Sequence, residues 1–145
     1  MTVKFETMVA ESKERNERND CAVKALAIAL DVPYAKAWKA LNDAGRKPRG
    51  GTYWGDTLKA IETLGGSLKE IPRPAKTVKT LPAKVDPSKT YLVRVVRHVL
   101  AVTDGAVDDW SAGRAKRVKE IYEVTKPFIS KASPVGVMSQ GLLFV

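Results

Sequence analysis

Cysteine and histidine are nearly absent from this chain of 145 residues, which carries one of each, Cys21 and His98. A single cysteine excludes an internal disulfide. No apolar run approaches the roughly 20 residues that a membrane-spanning helix requires. The stretch from Met1 to Thr7 lacks the apolar region of a secretory signal. Without that signal, the expected location is the reducing cytoplasm, where a free thiol persists. Internal repeats and low-complexity tracts are missing too. Charge of one sign is in excess: 25 Lys and Arg against 16 Asp and Glu give a net charge of +9. That balance suits an anionic partner or plain solubility. The two densest basic stretches, Arg46 to Arg49 and Arg114 to Lys119, are not interleaved with aromatic residues as a platform for single-stranded nucleic acid would be. Nucleic-acid binding is therefore an alternative and not the favoured role. No membrane partner is expected.

The length fits one domain with one core, residues 1–145, and the apolar content is that of an ordinary globular protein. From Cys21 to Leu30 the chain is apolar on nearly every helical face, with Lys24 the only charge, and this predicts a buried central helix. Asn19 or Asp20 is its expected N-cap. Pro33 opens a second helix with a Tyr34, Trp38, Leu41 stripe that ends at Gly45. Residues 53–64 predict a third, with Leu58, Ile61 and Leu64 on its apolar side. The charged stretch Glu11 to Arg18 and the loop Arg46 to Gly51 read as solvated. Ser67 to Ile71, Tyr91 to Val102, Ala106 to Trp110 and Lys119 to Val124 read as strands, and Asp104-Gly105 as a two-residue hairpin turn. The proline-bearing connection 72–90 holds at most one helical turn, near Thr77 to Leu81. The segment after Pro127 ends in the apolar Leu142-Leu143-Phe144-Val145. The expected class is α+β, helices around a buried central helix packed on a small antiparallel sheet.

A thiolate is the attacking form of cysteine, and a helix N-terminus and an imidazolium both stabilise it. Cys21 has the first by position, and His98 is the only histidine able to supply the second. A carboxylate must then fix the imidazole ring. If Asp104 and Gly105 are the central turn residues, Thr103 faces Ala106, Leu100 faces Asp109 and His98 faces Ser111. Strand side chains alternate, so Asp109 shares the His98 face and lies one diagonal step away. A one-residue bulge would exchange it for Asp108. An oxyanion site needs the Cys21 N–H and a second donor. Asn16 is the expected donor, because Asn19 is expected to serve as a cap. Trp54 and Trp110 are read as core or cleft wall. No cofactor and no metal is assigned.

These residues resemble the papain-like cysteine peptidases, and most closely those that remove double-glycine leaders from bacteriocins. The likeness rests on Asp20-Cys21 opening an apolar helix, on Gly51-Thr52 before a helix ending in Leu64-Gly65, and on His98-Val99-Leu100-Ala101-Val102. The segments Asn19 to Leu26, Tyr91 to Val95 and His98 to Trp110 are also similar to small uncharacterised proteins of tailed bacteriophages. The resemblance covers roughly residues 16–124. It implies a papain-like fold and a thiol hydrolase, most naturally a peptidase acting on a host or viral protein in the host cytoplasm. Cys21 would be the nucleophile, His98 the base, Asp109 its orienting carboxylate and Asn16 the oxyanion donor. The peptidases place a glutamine six residues before the cysteine, where this chain has Arg15 with Asn16 beside it. Their gap from histidine to aspartate is longer, so the hairpin here should be tighter. An inactive papain-like binding protein is the nearest alternative, and the same apparatus serves deamidation or acyl transfer.

Overall fold

The computed structural model describes residues 3–126. The apolar C-terminal residues 142–145 and the segment after Pro127 lie outside the described residues. Four α-helices come first: α1 Phe5–Glu14, α2 Cys21–Leu30, α3 Tyr34–Ala44 and α4 Trp54–Thr63. Then follow β1 Ser67–Ile71, a 3-10 helix Val78–Ala83, β2 Tyr91–Val95, β3 His98–Thr103, β4 Ala106–Asp108 and β5 Glu120–Thr125. The strands form one antiparallel sheet in the order β1-β5-β2-β3-β4. The class is α+β, as the residue patterns predict.

Helix α2 is central because its sequence leaves it no wet face. Eight of its ten residues are buried, between α3 on one side and β3 on the other. Asp31 closes it with φ 54°, and the Asp31 carboxylate accepts the Val3 N–H at 3.0 Å. Gly66 sits so close to the far end of α2 that an added Cβ would lie 2.6 Å from a Leu30 methyl. Helix α4 differs from its expected stripe. Thr57, Ala60 and Ile61 are buried, whereas Leu58 is exposed, because the face that meets α3 is turned by one residue.

The run Tyr91 to Val102 is not one strand. It folds back at Val96-Arg97, with Val95 opposite His98 and Arg97 at φ 57°. The two-residue turn was hidden because neither residue is a usual turn former. Both faces of the sheet are covered, so the strands read as continuous apolar runs instead of alternating ones. Leu92, Val99, Ala101 and Val124 face the helices. Tyr91, Val93, Leu100, Val102 and Ile121 pack on the other face against Val78 and Leu81 of the 3-10 helix and Val118. The proline-bearing connection is thus a lid on the second face of the sheet.

Two stretches read as solvated are partly buried. Arg46 and Glu17 form an ion pair at 2.8 Å with side chains 0% and 1% exposed. Glu17 also accepts from Trp38 Nε1 at 2.6 Å and the Arg49 N–H at 2.9 Å. Burial works against the Glu17 charge, but the hydrogen bonds from Arg46, Trp38 and Arg49 prevail and bring its pKa to about 2. This pair ties the segment before α2 to the loop after α3.

Candidate active site

Cys21 is the first residue of α2, where backbone N–H groups are unpaired within the helix. The segment leading to it is fixed by buried polar contacts. Asp20 does not use its side chain as a cap. It accepts instead from Ser12 Oγ and from Tyr34 OH, both at 2.7 Å, and pairs with Lys24 at 3.4 Å. Burial raises the Asp20 pKa, and these hydrogen bonds with the Lys24 charge outweigh it, so the carboxyl stays below its usual range. Asn19 is no side-chain cap either: it stands at φ 55° and donates to the Arg49 carbonyl at 3.1 Å. The start of α2 is therefore bolted to α1, α3 and the 46–51 loop, instead of being capped by its own neighbour.

His98 is the first residue of β3, immediately after the Val96-Arg97 turn. Its Nε2 lies 2.7 Å from Asp109 Oδ2, which leaves Nδ1 for the thiol. Asp109 follows β4 directly, on the register that the Asp104-Gly105 turn dictates: Thr103 pairs with Ala106 and Ala101 with Asp108. Ser111 donates to the same Asp109 oxygen from its N–H at 3.0 Å and its hydroxyl at 2.5 Å. Asp108 has other work. Both its oxygens lie 3.3 Å from the Phe5 N–H, at the N-terminus of α1. Burial leaves its pKa raised.

Cys21 and His98 perturb each other. Burial alone would raise the thiol pKa. The hydrogen bond with His98, one from the Val99 backbone and the imidazolium charge overcome it, and the net shift is downward. For His98, burial lowers the pKa, while the Asp109 hydrogen bond, the Cys21 contact and both negative charges raise it to about 9. Both directions favour the charged thiolate–imidazolium form over the neutral pair.

The pair opens on a cleft of about 660 Å³. Its walls include Thr52 and Trp54 at the start of α4, and Arg97 and Trp110 on the His98 side. Trp110 is 48% exposed and its ring centroid lies 4.9 Å from that of His98. Thr52 Oγ1 is buried without a hydrogen-bond partner. Asn16 is exposed in the turn after α1, at φ 54°, and is not part of the cleft wall. Asn19 is. The cleft wall thus carries Asn19 and not Asn16, because the chain turns at Asn16 and returns to the cleft at Asn19.

The structure brings Cys21, His98 and Asp109 together and leaves Asn16 outside. Sequence reasoning missed Asp20 as an anchor, Ser111 as the second donor to Asp109, and Arg97 at the cleft. The Asp109-x-Ser111 spacing is a local hydrogen-bonding pattern that points to Ser111. No comparable signal marks Arg97. Among the described residues no group of three or more His, Cys, Asp or Glu side chains is arranged to hold a metal ion, and no helix is long and apolar enough to cross a membrane.

The architecture and site define a mixed helix-and-sheet protein with a thiol and an imidazole on one cleft and a carboxylate hydrogen-bonded to the imidazole. No protein family, curated protein or solved structure matches the chain.

Proposed function

We propose that this protein is a papain-like thiol hydrolase, a cysteine peptidase of the double-glycine-leader type in its overall plan and possessed of a Cys21–His98–Asp109 triad. The observation that carries the reading is His98 held through Nε2 at 2.7 Å by Asp109, beside a cysteine at the start of a buried helix. Cys21 thiolate attacks the carbonyl carbon of a peptide bond. The Cys21 N–H and the second amide hydrogen of Asn19 hold the developing oxyanion, since the first is spent on Arg49. His98 gives its proton to the departing amine as the C–N bond breaks. It then takes a proton from water, which hydrolyses the thioester and restores the thiolate–imidazolium pair. The phage resemblance makes a host or viral protein the proposed substrate.

The test is the rate at which iodoacetamide alkylates native Cys21 between pH 6 and 7. The rate should exceed that of a free thiol at the same pH, and His98→Ala should reduce it to that level. A rate equal to the free thiol and indifferent to His98→Ala would sink the reading. One observation favours a second reading, a papain-like protein that binds without cleaving: the expected oxyanion donor Asn16 lies outside the cleft. A reactive Cys21 with no turnover of any peptide library would favour it.

A further inference from the structure

We propose that the cleft takes an acidic segment of a polypeptide, with substrate carboxylates received on the His98 side by Arg97, Arg114 and Lys116; the inference rests on the thiol-hydrolase reading and names its substrate class. Arg97 lies at the cleft, one residue before His98, presented by the tight turn between β2 and β3. Trp110, whose ring is tilted against that of His98, carries the Arg114 guanidinium at 5.5 Å and the Lys116 ammonium at 5.3 Å from its ring centroid. Arg97 thus lines the cleft itself, and Arg114 and Lys116 stand against the Trp110 ring that forms part of its wall.

Among the described residues none of the three is paired with a carboxylate. Lys24 and Arg94, which line the cleft with Arg97, are both paired: Lys24 with Asp20 at 3.4 Å and Arg94 with Glu120 at 2.5 Å. Every Asp and Glu of the sequence falls between Glu6 and Glu123, inside the described residues. No side-chain carboxylate elsewhere in the chain can fill the role. Asp20 is the one acidic residue of the cleft wall, and it is buried under its own donors. Asp109 beside the ring is likewise held by His98 and Ser111. The cleft thus offers an acidic segment attraction without a competing free carboxylate. A polypeptide is preferred to a nucleic acid because the thiol-hydrolase reading requires a peptide carbonyl at Cys21; the exposed Tyr53 and Trp110 of the wall make oligothymidylate the control.

The test is protection of Cys21 from iodoacetamide at pH 7 in the full chain, by short peptides of equal length rich in glutamate, lysine or serine, and by oligothymidylate. The glutamate peptide should slow alkylation and the others should not. About 0.5 M salt should relieve the protection. Arg97→Asn, which keeps a residue tolerant of φ 57°, and the double change Arg114→Gln with Lys116→Gln should each weaken the apparent affinity roughly threefold or more, the scale of an exposed ion pair. Equal protection by the serine or lysine peptide overturns the proposal. So does protection by oligothymidylate alone, or protection undiminished in both variants. The thiol-hydrolase reading fails separately, by a Cys21 rate indifferent to His98→Ala, since any alkylation of Cys21 still reports whether the acidic peptide covers it.

Discussion

Replacing Asp109 with Asn keeps the side-chain shape beside His98 and removes its charge. His98 is shifted from 6.5 to about 9, and the Asp109 hydrogen bond is the largest contribution that raises it. The difference, 9 − 6.5 = 2.5, corresponds to about 3 kcal/mol of preference for the imidazolium. A hydrogen bond to a charged group accounts for roughly 1.5–3 kcal/mol of such a preference, so Asp109 should supply half of it or more. Because the folded-state pKa is raised, this stability is fully present below the unfolded value near 6.5 and is lost as pH rises through about 9. The variant should therefore be less stable than the parent by about 1–2 kcal/mol at pH 6. The two should converge above pH 9. His98 is the only histidine, so its ring resonances report one titration without assignment. Its midpoint should fall by at least one pH unit in Asp109→Asn. A parent midpoint near 6.5, or one that Asp109→Asn leaves in place, would refute the reasoning.

The buried Arg46–Glu17 pair should be costly to break on one side only. Glu17→Gln should lower unfolding free energy by roughly 3–5 kcal/mol in urea, whereas Glu17→Leu combined with Arg46→Met should cost less than the single change. Gly66→Ala should destabilise by about 1–3 kcal/mol in thermal unfolding, because the new methyl meets Leu30 at the end of α2.

The long apolar segments were legible in the sequence. The all-round apolar pattern of Cys21 to Leu30 specifies a core helix, and Asp104-Gly105 specifies a turn whose register brings Asp109 and not Asp108 beside His98. What stayed hidden has a common physical origin: polar residues whose partners are distant in sequence. Asp20 reads as a cap, yet Tyr34 and Ser12 bind it. Glu17 and Arg46 read as solvent-facing charges, yet 29 positions apart they satisfy each other in the interior. Asp108 meets the start of α1 across 103 positions. The Val96-Arg97 turn was masked for a different reason, since burial on both faces erases the alternation that would have shown where one strand ends and the next begins.

Cys21 and His98 stand on opposite layers of the fold, one on the helix that fills the core and the other on the sheet. During synthesis the cysteine leaves the ribosome long before the histidine, and the early helices alone offer it no base. The downward shift of the Cys21 thiol waits until β2 and β3 have paired and β3 has docked against α2. Completion of the β3–β4 hairpin brings Asp109 to His98, so the mutual perturbation of thiol and imidazole belongs to the assembled fold and not to its early helices.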